Sequence, residues 1–137
     1  MNKNEYYKYF SLFIISSSLV YLYGVYRCIY NKVDFLEKKL TKNYSEIDGW
    51  TITHVLFFMI VGYLYPKMFF LSMFMGFIWE CFEHIGGNFL SPVYIGLCNE
   101  LTTDNVDGIW WYAKYSDIFF NAVGFIIGAS LKNKFNL

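Results

Sequence analysis

The stretch IWECFEHIGG, residues 78–87, closes an apolar run with two carboxylates and an imidazole. Glu80, Glu83 and His84 stand at i, i+3 and i+4, which on a helix is a single stripe. Further along, Asp117 and Asn121 stand four apart in SDIFFNAVG, and upstream Asp48 and His54 flank the start of another apolar run, DGWTITHVLFF. Carboxylates aimed at one another in a low-dielectric setting cannot all stay ionised without a cation or a shared proton. Oxygen donors together with an amide, here Glu80, Glu83, Asp117 and Asn121, favour a hard cation such as Ca²⁺, Mg²⁺ or Mn²⁺ over zinc. His54 and His84 add nitrogen donors or, near neutral pH, a proton carrier. His54, Glu80, Glu83 and Asp117 are therefore the catalytic candidates, and Asp48 and His84 supporting ones. The competing reading puts all of them at helix ends in contact with water, with His54 as an interfacial anchor.

The elements that must position these residues are helices in an apolar setting. Of the 137 residues 56% are hydrophobic and 23% aromatic, while 16% are charged, well below the quarter usual in soluble domains. The composition points to lipid as the solvent. Residues 10–26 carry no charge and are flanked by Tyr6, Tyr7, Tyr9 and Tyr30, a pattern that fits a membrane span with an interfacial aromatic belt. A cleaved signal peptide is its rival, but no small-x-small site ends the run. Residues 27–49 are the most polar part and read as a connector or a short surface helix. Two shorter apolar runs, 51–65 and 68–84, are separated by Pro66-Lys67, which reads as a tight turn between two helices. A last helix is expected over 111–131, with Gly124 and Gly128 four apart for close packing against a neighbour. Before it comes a long polar or re-entrant loop rich in glycine.

The expected architecture is therefore all-α: an integral membrane protein of one domain, 1–137, with about four short transmembrane helices. Four crossings bring the head of the second helix, the tail of the third and the head of the fourth to one membrane face. Those are the three places where the ionisable residues cluster. Membrane lipids are the expected partners, and four short helices suit a homodimer. The 11 basic and 11 acidic residues cancel, so no nucleic-acid partner is expected. Basic residues lean weakly toward a cytoplasmic site face. Cys28, Cys81 and Cys98 form no metal or redox pattern and read as small apolar filler. Trp110 and Trp111 suit a headgroup-level belt, and Arg27 could meet lipid phosphates. No phosphate-binding glycine loop, nucleophile elbow or His-Glu-x-x-His helix is present.

From DGWTITH through FIWECFEH to WWYAKYSDIFFNAVGFIIG the sequence resembles the core of the eukaryotic base-exchange phosphatidylserine synthases. The positions that carry the resemblance are Asp48, His54, Glu80, Glu83, Trp110, Trp111, Asp117, Asn121, Gly124 and Gly128. Tyr112 stands where that family has Asp. The resemblance implies a Ca²⁺-dependent exchange of one phospholipid head alcohol for another, with His54 as acid/base and the carboxylates holding metal. The spacing Asp117-x3-Asn121-x2-Gly124 after a helix bearing Glu80 is also similar to small VanZ-like membrane proteins. On that resemblance the chain would be a non-catalytic membrane structural or assembly protein. There Glu80, Glu83, Asp117 and Asn121 join helices by hydrogen bonds.

Overall fold

The computed structural model describes residues 3–30, 32, 34–37, 40, 47–89 and 113–135. It is all-helical, with no strand among the described residues: α1 (Lys3–Ile29), a 3-10 turn (Phe35–Glu37), α2 (Gly49–Leu64), α3 (Phe69–Phe89) and α4 (Tyr115–Phe135). The chain divides into two compact units. One comprises Met1–Asp34 and Phe82–Tyr112, the other Phe35–Cys81 and Ala113–Leu137. The loop ahead of the last helix, with Trp110 and Trp111, lies outside the described residues, as does most of 31–46.

In the first unit, α1 begins well ahead of the apolar run because Lys3, Glu5 and Lys8 are compatible with a helix and nothing breaks it. Among the described residues α1 alone is long and apolar enough to cross a membrane; a signal sequence would meet the same test. Its Ile14, Ile15, Leu19 and Leu22 are exposed. α2, with 16 residues, is apolar but short, and α3 and α4 have the length, at 21 residues each, with polar residues inside them.

At the end of α1, Arg27 donates from Nη1 to Asp34 Oδ2 at 2.7 Å and from Nε to the Lys32 carbonyl at 3.4 Å. The Tyr23 hydroxyl donates to Asp34 Oδ1 at 3.1 Å. Arg27 and Asp34 side chains are only 5% and 2% exposed. A buried ion pair of this kind is held because breaking it would strand a charge. Arg27 is thus committed to Asp34, which corrects the expectation that it reaches lipid phosphate. Cys28 is disulfide-bonded and Cys81 is free, which corrects the reading of Cys28 as filler.

The second unit is built on α2 and α4. Adding a Cβ at Gly124 would bring it within 2.3 Å of the Val55 carbonyl oxygen, at Gly128 within 1.9 Å of that of Met59, and at Gly62 within 2.2 Å of that of Phe125. The two backbones touch from both sides, and only glycine permits that approach. Phe58, Val61 and Phe125 are buried alongside. Gly124 and Gly128 therefore do pack against a neighbour, and that neighbour is α2.

α2 ends at Tyr65, whose N–H donates to the Val61 carbonyl at 2.8 Å; the Met68 N–H then bonds the Tyr65 carbonyl at 3.0 Å, closing a turn over Pro66-Lys67. α3 leaves this turn with Phe69 edge-on to Phe125, ring centroids 5.4 Å apart. It continues past residue 84 through Gly86-Gly87 because no proline intervenes before Pro92.

Candidate metal centre

The pairings across α2 and α4 run in the same order along both helices: Thr51 with Asp117, His54 with Asn121, Val55 with Gly124, Met59 with Gly128. The two helices are therefore parallel. α3 runs against them, since Phe69 at its start meets Phe125 while Glu80 meets Lys114, just ahead of α4. The heads of α2 and α4 and the later part of α3 thus gather at one end of this unit, and the ionisable side chains gather with them.

Asp48 starts α2. Its Oδ1 accepts the Thr51 N–H at 3.0 Å, and the Thr51 hydroxyl approaches the Asp48 N–H at 3.5 Å, a reciprocal capping box. Its Oδ2 accepts from the Lys114 ammonium. The Thr51 hydroxyl also lies 3.4 Å from Asp117 Oδ1. One turn along α2, His54 Nδ1 is 2.9 Å from Asn121 Oδ1, and its Nε2 is 3.9 Å from Asp117 Oδ2. The Lys114 backbone N–H donates to Glu80 Oε2 at 3.1 Å. Gly76 leaves room for Asn121, whose amide nitrogen would be 2.8 Å from a Cβ there.

Three carboxylates are thereby almost fully removed from solvent: Asp48 is 2%, Asp117 3% and Glu80 4% exposed. Lys114 compensates the first. His54 stands by Asp117 and the Lys114 N–H by Glu80, whose Oε1 has no hydrogen-bond partner, nor has the amide nitrogen of Asn121, which is 1% exposed. Unpartnered buried polar atoms cost about 1–3 kcal/mol each, so a group that met them would be stabilising. His54, Glu80 and Asp117 each offer one ligand atom, all within 4.8 Å of one another, a group able to hold a metal ion. The residues fit that purpose: three donors from three helices, two of them anionic, with an unused lone pair already buried.

No protein-family model, curated protein or solved structure matches the chain.

Of the residues expected to meet, His54, Glu80, Asp117 and Asn121 do so, and Asp48 adjoins them through Thr51 and Lys114. Asn121 reaches the cluster through its bond to His54. Glu83 and His84 occupy the part of α3 that belongs to the first unit, and the three-donor group is complete without them. Thr51 and Lys114 are the participants that sequence reading missed. Thr51 had a signal, since Asp-Gly-Trp-Thr ahead of an apolar run is a capping pattern. Lys114 had none, because its role depends on where the chain enters α4.

Proposed function

We propose that this chain is a small membrane-embedded helical protein whose His54/Glu80/Asp117 group binds a divalent cation and acts on phospholipid head groups. The observation that carries the reading is the convergence of these three donors, drawn from α2, α3 and α4, within 4.8 Å at one end of the second unit. The four-span arrangement is part of the proposal: α1 has the length and apolarity of a span, and parallel α2 and α4 with α3 running against them suit three further crossings.

Glu80, Asp117 and His54 would hold the cation, which when bound offsets the charge of a lipid phosphate. In an exchange on the phosphodiester, a P–O bond forms to the incoming alcohol and another breaks to the leaving one. The proton given up by the incoming alcohol ends on the leaving one, so the exchange balances. Asn121 orients the imidazole, and Lys114 keeps Asp48 neutralised.

A second reading is favoured by the glycine contacts between α2 and α4: a non-catalytic membrane structural or assembly protein whose polar residues join helices. One measurement separates the two. The detergent-purified chain is melted with added Ca²⁺, Mg²⁺ or Mn²⁺, beside Glu80→Gln and Asp117→Asn. A cation at a hundredfold its Kd should add about 2.7 kcal/mol of stability, lost in both variants, and head-group exchange in mixed-lipid vesicles should fall with it. No cation response in the wild type, and lipid turnover unchanged by either substitution, would leave the helix-joining role.

A further inference from the structure

Resting on the reading that the group holds a cation, the ligand chemistry says which kind. Each of the three donors has one atom tied down and one left over. His54 Nδ1 is engaged by Asn121 Oδ1 at 2.9 Å, which leaves Nε2. Glu80 Oε2 accepts the Lys114 N–H at 3.1 Å, which leaves Oε1 without a partner. Asp117 Oδ1 faces the Thr51 hydroxyl at 3.4 Å, which leaves Oδ2, 3.9 Å from His54 Nε2. That last distance is too long for a hydrogen bond, but two ligands of one small ion stand roughly 3.4 Å apart, so a modest contraction brings both onto it. Supporting partners that fix the far atom of every ligand are the usual second layer of a metal site.

Asn121 is the informative member. It is 1% exposed, and its amide nitrogen is unpartnered beside Gly76, so its side chain is held where it is by shape and by the bond to His54. With its oxygen given to His54 Nδ1, it imposes the tautomer in which Nδ1 carries the proton and Nε2 presents a lone pair. Asp48, paired with Lys114, is withdrawn from the donor set. What remains is one imidazole nitrogen and two carboxylate oxygens. Ca²⁺ takes six to eight oxygens and Mg²⁺ prefers oxygen and water, whereas imidazole with carboxylate suits the first-row transition dications.

We infer that the resident cation is a transition-metal dication of the Mn²⁺ to Zn²⁺ series, bound through His54 Nε2, Glu80 Oε1 and Asp117 Oδ2. Asn121 secures that preference by holding His54 Nδ1. This departs from the Ca²⁺ that the phosphatidylserine-synthase resemblance implies.

The test uses the full chain in detergent, stripped with a chelator and titrated calorimetrically with Mn²⁺, Zn²⁺, Ca²⁺ and Mg²⁺. Mn²⁺ and Zn²⁺ should bind at least tenfold more tightly than Ca²⁺ or Mg²⁺, with Zn²⁺ the tighter of the two, as expected for a site with a nitrogen donor. Pulsed electron paramagnetic resonance of the Mn²⁺-loaded protein should detect coupling to a ¹⁴N nucleus. His54→Asp, which replaces nitrogen by oxygen, should still bind Mn²⁺ but lose that coupling and most of the margin over Ca²⁺. Asn121→Ala should weaken Zn²⁺ by about 10- to 100-fold, and Asn121→Asp, which still accepts from Nδ1, should restore most of it. Ca²⁺ binding as tightly as Mn²⁺, or Mn²⁺ bound without nitrogen coupling, overturns the inference while sparing the proposed metal function. Failure of every cation to bind overturns both.

Discussion

Replacing Gly124 by alanine tests whether backbone contact between α2 and α4 sets the geometry of the site. The new Cβ would sit 2.3 Å from the Val55 carbonyl oxygen and 3.0 Å from the Val55 Cα. These are backbone atoms that cannot rotate aside, so the helices must part by about 1 Å to reach ordinary contact, a case of overpacking that typically costs about 1–3 kcal/mol. His54 is the residue before Val55, and Asn121 lies one turn before Gly124. The same 1 Å therefore stretches their 2.9 Å bond beyond hydrogen-bonding range, a further loss of about 1 kcal/mol. Against this stands the helix-propensity gain of alanine over glycine, about 1 kcal/mol in the opposite sense. The balance is a destabilisation of about 1–3 kcal/mol, or roughly 3–10 °C in the melting midpoint of a chain this size. Thermal unfolding in detergent measures it, with Ser130→Ala at an exposed position of the same helix as the control, expected to change stability by less than about 0.5 kcal/mol. A Gly124→Ala protein as stable as the wild type or more so would mean that propensity alone governs the position, and the close-approach reasoning would be wrong.

Lys114→Met leaves Asp48 buried at 2% exposure without its cation and should cost about 3 kcal/mol; adding Asp48→Asn should recover most of that in the same unfolding assay, and an additive double variant would refute the pairing. Asp48→Asn alone keeps an acceptable helix cap but removes the carboxylate charge that meets the Lys114 ammonium, so its cost should exceed the few tenths of a kcal/mol separating the two residues as caps, read as an early loss of helicity on heating. Cys28 should resist maleimide until a reductant is added, whereas Cys81 needs none beyond access; labelling of Cys28 in the unreduced native protein would contradict the bridge.

The apolar runs made four helices legible, because a chain so poor in charge leaves few other arrangements for its backbone hydrogen bonds. The ends were less so. Hydropathy stops at Phe10, but a helix accepts Lys3, Glu5 and Lys8 readily, so α1 starts earlier than its apolar part. It also put the head of the last helix at 111, whereas α4 starts at Tyr115, with Ala113 and Lys114 ahead of it. In the site, the periodic spacing singled out Glu80 with Glu83 and His84 as equals, and only packing against the entry to α4 distinguishes Glu80 by giving it the Lys114 N–H. His54 and Asn121 were both named from sequence as possible donors, but that they bond each other is a fact of helix register. That register comes from Gly62, Gly124 and Gly128; the spacing of the last two announces a close neighbour, but which carbonyls they meet is visible only in the fold.

Asp48 gives one carboxylate oxygen to the first turn of α2 and the other to the lysine that precedes α4. Two helix heads far apart in the chain are thus fastened by a single side chain, and neither can fray without releasing the other. Local opening at this end is therefore a joint event, whose free energy is that of two helix starts together. Amide exchange in the first turns of α2 and α4 should rise and fall in step, while the far ends of the same helices open on their own.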